Sequence, residues 1–186
     1  PKIQQITSYL FAKNGFIQKS RKYFSLCIAN SPPDQRWRQY YNAAISELNY
    51  GDSTMTLLLL EVASQVTPSK SESTIRLSLA KIQEVFGYIQ KASKTYESLS
   101  KDINSDWRIY LEFSMFYVRQ HKKDLALECA KSGLKIHPNN GRLWALRIQL
   151  EEDDEKISAL IKGIRKAPKS GEVWTEAARI TLNPLS

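Results

Sequence analysis

The sequence predicts an all-α fold, a right-handed α-solenoid of antiparallel helix pairs, and three observations lead to it. Between Trp107 and Trp144, apolar residues recur at helical spacing on both sides of one polar interruption, residues 120–124. Turn-forming residues recur at fixed distances, and so do small side chains. Because one short pair cannot bury its own apolar face, successive pairs are expected to stack around a shared interior.

Turn-forming residues give the period of the predicted repeats. The glycines at the expected turns within pairs are spaced by 36 residues and are Gly15, Gly51 and Gly87. The prolines at the expected ends of pairs are Pro32 and Pro68, 36 residues apart, and Pro138 and Pro168, 30 residues apart. Such regular punctuation is typical of short helix-pair repeats.

Small residues provide a second measure of the period, because two helices cross closely only where the side chains at the contact are small. Three columns of residues recur at intervals of 36, 36 and 34. They are Ser8, Ala44, Ala80 and Ser114 in the first helices, Ser20, Thr56, Ala92 and Ala126 in the second helices, and Phe24, Leu60, Tyr96 and Ala130 four residues further on. The shared intervals indicate four consecutive repeats, to which a shorter fifth is added.

The predicted repeats follow one another in order. Their bounds are 1–33, 34–70, 71–105, 106–140 and 141–170, and an orphan helix follows at 171–184. The first helix of the third repeat is expected to begin near Ser73, and its second helix to fade at residues 102–104. In the fifth repeat, the acids at 152–155 are expected to form a solvated turn before a helix at 156–167, since four adjacent acids lack the spacing of a calcium loop. Residues 1–186 are thus expected to form one repeat domain, a fragment of a longer array.

Composition narrows the function classes. The chain has 27 Lys plus Arg against 19 Asp plus Glu, a formal net charge of +8, which permits an acidic partner such as nucleic acid or an acidic protein surface. Only two cysteines, Cys27 and Cys129, are present, so a disulfide framework is not expected and a reducing compartment fits. The longest apolar run, residues 57–60, is far shorter than the roughly 20 residues of a membrane span, so no membrane partner is expected.

Residues 107–113, Trp-Arg-Ile-Tyr-Leu-Glu-Phe, resemble the Trp-x-x-Tyr-x-x-Phe-Glu opening of half-a-tetratricopeptide (HAT) repeats, with Glu112 and Phe113 in reversed order. Residues 37–40 and 143–151 are similar openings, whereas the third repeat has Ile75 near the place of the tryptophan. Residues 168–177, with Pro184 seven positions on, resemble a repeat junction in the HAT arrays of spliceosomal proteins that bridge the subunits of the tri-snRNP.

The resemblance implies a scaffold in RNA processing. The leading hypothesis is a nuclear protein-interaction scaffold of a pre-mRNA splicing complex, whose partners are other protein subunits of a ribonucleoprotein assembly. One alternative is a cytoplasmic tetratricopeptide (TPR) adaptor for transport or chaperone clients, although the first helices do not repeat the Lys, Asn and Arg set that would hold a terminal carboxylate. A second alternative is direct RNA binding through basic helix ends.

Catalytic chemistry is not expected. His121 and His137 are the only histidines and lie at predicted helix ends, the cysteines have no Cys-x-x-Cys partner for zinc, and no phosphate-binding glycine loop is present. The prediction is therefore a protein that is not an enzyme and has no cofactor, no metal and no small-molecule substrate.

Two sets of residues are candidates for contact with partners. The tryptophans, at equivalent starts of first helices, are expected to pack between repeats rather than to stack on RNA bases. Cations at helix ends can simply offset helix dipoles, yet a contiguous basic strip could bind RNA or an acidic partner. The candidate contact residues are Arg36, Arg38, Lys162, Arg165, Lys166 and Lys169.

Overall fold

The computed structural model describes residues 2–102 and 105–182. Within these ranges, it contains eleven α-helices, a 3₁₀ turn at Pro33–Gln35 and no strand, so the all-α prediction is confirmed. The helices are α1 (Lys2–Lys13), α2 (Ile17–Ala29), α3 (Arg36–Tyr50), α4 (Ser53–Val66), α5 (Ser69–Val85), α6 (Ile89–Ser100), α7 (Trp107–Arg119), α8 (Lys123–Ile136), α9 (Gly141–Leu150), α10 (Asp153–Lys166) and α11 (Gly171–Leu182).

Two helix starts differ from the sequence prediction. α5 begins at Ser69 rather than near Ser73, because Pro68 caps its start and its carbonyl accepts a hydrogen bond from the Ser71 N–H at 2.9 Å. α10 begins at Asp153, so the acids after Glu152 form its first turn instead of a separate loop. Carboxylates are favourable there because they face the positive end of the helix dipole. Residues 103–104, where the second helix of the third repeat is predicted to fade, and residues 183–184, the predicted end of the last helix, lie outside the described residues.

The chain divides into two compact units, residues 1–99 and residues 100–186. In the first, α1 to α5 and α6 as far as Leu99 follow one another as antiparallel pairs; in the second, the pairs α7/α8 and α9/α10 precede α11. The prediction that all 186 residues form one repeat domain stays a prediction.

The columns of recurring residues lie at the helix contacts. All twelve are at most 5% exposed, including the serines and the threonine. In the first pair, the Ser8 Oγ donates to the Ser20 carbonyl at 2.6 Å, so the two columns of small residues face each other directly. The periodic spacing of small side chains therefore identified the lines along which the helices approach.

Each unit has its own apolar interior. In the first unit, Ala44, Leu60, Leu79 and Ile82 form a buried cluster from α3, α4 and α5. A buried cluster of the second unit includes two large aromatic side chains. Its members are Tyr110, Leu134, Leu143, Trp144, Ile148, Ala159, Leu160, Ala167 and Val173.

Candidate functional site

The predicted contact residues of the first unit are partly engaged within the chain. Arg36 and Arg38 are exposed at the start of α3. The Arg36 Nε donates to the Ser31 carbonyl at 3.2 Å, and the Arg38 guanidinium carbon lies 5.2 Å from the centroid of the Trp37 ring. Arg36 is therefore engaged in the α2–α3 connection and Arg38 with a neighbouring ring of α3, which leaves less of each side chain available to a partner.

The other four predicted contact residues belong to the second unit. Lys162, Arg165 and Lys166 are exposed on neighbouring turns of α10, and Lys169 is exposed in the loop that follows. In the part of the chain that the structure describes, no carboxylate forms an ion pair with any of them. The structure thus brings these four cations to one helix end, while Arg36 and Arg38 lie in the other unit.

An apolar groove runs along the first unit between the first helices of its first two pairs. Its volume is about 500 Å³. Ile6, Tyr9 and Leu10 of α1 line one side, Tyr41 and Ile45 of α3 line the other, and no lining side chain carries a charge. Ile6 is 62% exposed and Leu10 is 52% exposed, so apolar surface is directly accessible along this groove.

A second groove lies on the corresponding helices of the second unit, α7, α9 and α11, and has a volume of about 350 Å³. Leu111, Met115, Ala145 and Leu146 form its apolar part.

Its rim, by contrast, is polar and charged. Arg142 and Glu172 form an ion pair at 3.1 Å, and the Gln149 side-chain amide donates to Glu176 at 2.6 Å. A hydrogen bond from the Glu172 backbone N–H and bonds from Ser170 and Arg142 lower the pKa of Glu172, which keeps this rim ionised.

Sequence reasoning missed both grooves. A signal for the second was present, since Arg142 follows Gly141 and Glu172 follows Gly171, so opposite charges occupy equivalent positions 30 residues apart. To predict the first groove, one would have had to know that Ile6 and Leu10, which are at helical spacing on α1, stay exposed. Periodicity shows which residues share a helix face, but not whether that face is covered by another helix.

The tryptophans differ in their positions and environments. Trp37 and Trp107 lie in the first two residues of their helices, whereas Trp144 and Trp174 are the fourth residues of α9 and α11, so the predicted equivalence of all four is wrong. Trp144 is 6% exposed, as the prediction of packing between repeats requires, and Trp37 and Trp107 are partly buried. Trp174 is 50% exposed, so the packing prediction is wrong for this residue. The reason is local, because no helix of the described chain covers the side of α11 on which Trp174 lies.

The histidines and cysteines occupy structural positions. The His137 Nε2 lies 2.8 Å from the Ser105 carbonyl oxygen, and His121 has a φ of 57° in the turn between α7 and α8. Cys27 is fully buried, and burial raises the pKa of the Cys129 thiol to about 11, so this thiol is protonated near neutral pH. Within residues 2–102 and 105–182, His, Cys, Asp and Glu form no group of three or more that could hold a metal ion.

None of the helices that the structure describes has the length and apolar character needed to cross a membrane.

Comparisons with known proteins relate these repeats to a sequence family. The family model described as PRP6, TPR-like domain matches residues 4–186. A TPR-containing protein of Dictyostelium discoideum is 42% identical over 81 residues, which are 42% of this chain and 6% of that protein. The chain therefore spans only a small part of the length of this relative.

Solved structures with similar folds include proteins described as TPR proteins. A tetratricopeptide repeat protein from Parabacteroides merdae has a TM-score of 0.62 at 15% identity, over 97% of this chain and 72% of its own. MamA from Desulfovibrio magneticus has a TM-score of 0.56 at 12% identity, over 100% and 97%. YrrB, described as a TPR protein with an unusual peptide-binding site, has a TM-score of 0.55 at 11% identity, over 94% and 90%. At such identities the likeness concerns the fold alone, and it confirms the predicted α-solenoid of HAT/TPR-like pairs.

Proposed function

Because the chain belongs to the family of PRP6 TPR-like domains, which are protein-interaction scaffolds, we propose that its particular role is in a nuclear pre-mRNA splicing complex. Its partners would be other protein subunits of a ribonucleoprotein assembly. The family name and the sequence resemblance to tri-snRNP bridging proteins support the splicing role, and the scaffold role is supported by one structural observation, the accessible grooves on the first helices.

The two grooves fit protein segments better than small molecules or nucleic acid. The groove of the first unit offers Ile6, Leu10 and Ile45 without a charged side chain, which suits the apolar face of a helix or an extended segment. It has no cation to contact a phosphate. The groove of the second unit combines an apolar floor with the Arg142–Glu172 ion pair, which can be matched by polar groups at the edge of a protein interface.

Affinity purification from nuclear extract with the tagged full chain tests this proposal. Recovery of small nuclear ribonucleoprotein subunits is expected, and Ile6→Arg and Thr175→Arg, one in each groove, should reduce it. Ser158→Arg, on the exposed side of α10 and outside both grooves, is the matched control and should leave recovery unchanged. Recovery of chaperones or motor proteins without those subunits would support the cytoplasmic adaptor instead.

A second candidate function, direct RNA binding, is favoured by the cations of α10. Lys162, Arg165 and Lys166 are exposed and are not paired with a carboxylate in the described chain. If they bind phosphates, RNA affinity should fall steeply as salt is added, by about one power of the salt concentration for each phosphate that is neutralised. Reversing all three to Glu should weaken binding at least tenfold.

The control for the RNA experiment reverses three exposed lysines of the first unit, Lys22, Lys70 and Lys94, because this makes the same change in net charge. An equal loss of RNA affinity in the two triple variants would show that binding depends on overall charge, and it would rule out the α10 strip as the site. Unchanged affinity in both would exclude direct RNA binding through these cations.

A further inference from the structure

The outward side of α10 carries two isoleucines between opposite charges. Asp154, Ile157, Ile161 and Arg165 follow one another at intervals of three, four and four residues, so they form a stripe on one side of the helix. All four are exposed, and the two isoleucines are 58% and 46% exposed. The stripe therefore begins with an acid, ends with a cation and has accessible apolar surface at its centre.

The two isoleucines are exposed although the next helix of the array is in place. In the preceding pair, 30 residues earlier, Leu127 and Lys131 of α8 hold the corresponding positions, and α9 contacts both. Leu127 packs against the cluster that contains Leu146, and the Lys131 Nζ lies 3.2 Å from Glu151. The helix that corresponds to α9 is α11, which packs against α10 and still leaves the isoleucines accessible.

The charged ends of the stripe lie on a side that stays exposed within the array. Their counterparts on α8 are Asp124 and Lys135, and both are exposed although three more helices follow α8. A continuation of the array beyond α11 is therefore not expected to cover Asp154 or Arg165.

The same two charges have no ionic partner among the residues that the structure describes. Charges at helix ends can serve only to offset the helix dipole. However, α2, α4 and α6, the second helices of the first three pairs, have no acid in the first turn and no base in the last turn. Compensation of the dipole is thus not a general requirement of these repeats, and it does not account for the isoleucines between the charges.

We propose that this stripe is an interface between two copies of the chain, in which the two α10 helices lie antiparallel about a two-fold axis. Such an axis brings the same surface of both copies together, so that surface must be complementary to itself. With the axis at the middle of the stripe, Asp154 of each copy faces Arg165 of the other, and Ile157 faces Ile161. The stripe meets the requirement because its opposite charges lie at equal distances from its centre.

The local charge of α10 permits two copies to approach. The helix contains three acids and four basic residues, so it is nearly neutral although the whole chain has a net charge of +8. Repulsion between more distant parts of the two chains is screened beyond about 8 Å at physiological salt. A different partner would require no symmetry in the stripe, whereas a second copy does. One helix from each copy makes a small interface, so the association should be weak and reversible.

Sedimentation equilibrium of the full chain at about 0.15 M salt, over a range of protein concentrations, measures this association. A reversible equilibrium between monomer and dimer is expected. Asp154→Arg and Arg165→Asp should each weaken it about tenfold or more, because like charges then face each other at both ends of the stripe. Asp124→Arg, the same change in charge at the corresponding position of α8, is the matched control and should leave the association unchanged.

A mixture of the two stripe variants is the sharpest test. When Asp154→Arg and Arg165→Asp chains are mixed in equal amounts, opposite charges again face each other across the axis, so a mixed dimer should form as readily as the wild-type dimer. Each chain then carries one altered charge, and thermal unfolding followed by circular dichroism checks that both are folded.

Four results would overturn the proposal. They are a wild-type chain that stays monomeric at every concentration, association that survives Asp154→Arg, equal weakening by Asp124→Arg, and a mixture that does not associate. The experiment contains no RNA, so it is separate from the candidate role of Arg165 in RNA binding, and the inference does not depend on the splicing role.

Discussion

The two units differ in the residue that the first helix of a pair places against the last turns of the second helix of that pair. In the second unit this position holds Tyr110 and Trp144, each beneath a glycine of the facing helix. In the first unit the corresponding residues are Gln4, Tyr40 and Arg76, all partly buried, and the repeat spacing puts Cys27, Ala63 and Leu99 at the positions of the glycine. Arg76 donates to the Ser98 hydroxyl at 2.6 Å instead of packing beneath a glycine.

The difference shows that one repeat period accommodates two ways of closing a helix pair. In the second unit, burial of large aromatic rings against bare backbone contributes apolar area and close packing. In the first unit, polar contacts do part of this work within a pair, as Arg76 does, and also between pairs, where the Nε and one terminal nitrogen of Arg21 on α2 donate to Glu47 on α3 at 2.8 and 2.9 Å. Mutations at matched positions should therefore change stability through different interactions in the two units. Residue-resolved hydrogen exchange would measure the stability of each unit separately.

The largest effect is expected from Trp144→Ala. This side chain is 6% exposed and lies in a buried cluster of nine residues, so its removal leaves a cavity and should cost roughly 3 to 5 kcal/mol of the free energy of unfolding. Trp174→Ala, at the equivalent but half-exposed position, is the control and should cost less than about 1 kcal/mol. Urea unfolding measures both. Equal losses would contradict the difference in burial.

A smaller loss is expected from Gly133→Ala. The new Cβ would lie 2.6 Å from the Tyr110 Cβ and 2.8 Å from its Cγ, so α8 must move away, at a cost of about 2 kcal/mol.

Gly163→Ala is the matched control, because its Cβ would make ordinary contacts at 3.4 to 3.5 Å. It should be neutral or should stabilise by up to about 1 kcal/mol, since alanine favours the helix. Thermal unfolding of both variants measures the two effects. A similar loss of stability in Gly163→Ala would show that the helices approach as closely at Gly163 as at Gly133.

In the first unit, Glu47→Gln should lower the free energy of unfolding at pH 7 by about 1 to 1.5 kcal/mol, because the partly exposed Arg21 loses its ionic partner. The hydrogen bond from Arg21 outweighs burial and holds the pKa of Glu47 below its ordinary 4.5.

Because the pKa of Glu47 is lowered in the folded chain, acidification should reduce the free energy of unfolding. The stability from ionised Glu47 is fully present above the ordinary pKa and is lost as pH falls through the lower pKa of the folded state. The wild-type and Glu47→Gln chains should therefore converge in stability on acidification, as followed by urea unfolding at a series of pH values. A constant difference down to the most acidic pH would mean that the charge of Glu47 is not responsible.

The smallest effect is expected from Lys123→Ala in the second unit. Lys123 contacts Glu152 at 2.6 Å, but the two side chains are 50% and 82% exposed, and solvent screens such pairs. A change of less than about 0.5 kcal/mol is expected by urea unfolding. A loss comparable to that of Glu47→Gln would indicate that exposed ion pairs matter as much as the half-buried one in the first unit.

The sequence was sufficient for the fold because the fold repeats. Gly15 and Gly87, each with a φ of +81°, end their helices where the 36-residue spacing predicts, and the recurring residues are buried as predicted. The start of α10 was predicted wrongly because acidic residues are common both in loops and in the first turn of a helix.

The candidate surfaces were harder to predict than the fold. Whether Ile6 or Trp174 is covered depends on the presence of a neighbouring helix, not on the residue itself. The cations Lys162 and Lys166 were predicted to lie near one another, and their place on one helix end follows directly from helical spacing. Their role in binding stays a prediction.

The indole N–H groups on α9 and α11 each donate a hydrogen bond to a proline carbonyl in the loop before the helix, and these bonds limit where residues can be inserted or deleted. The Trp144 Nε1 donates to the Pro138 carbonyl at 2.7 Å, and the Trp174 Nε1 donates to the Pro168 carbonyl at 2.8 Å. Each bond spans six residues, so one inserted residue would rotate the indole away from its acceptor. The fifth repeat is accordingly shortened elsewhere, since α9 has 10 residues where α7 has 13. In related proteins, insertions and deletions should therefore collect in the first helix and the turn after it, while the segment from proline to tryptophan keeps a constant length.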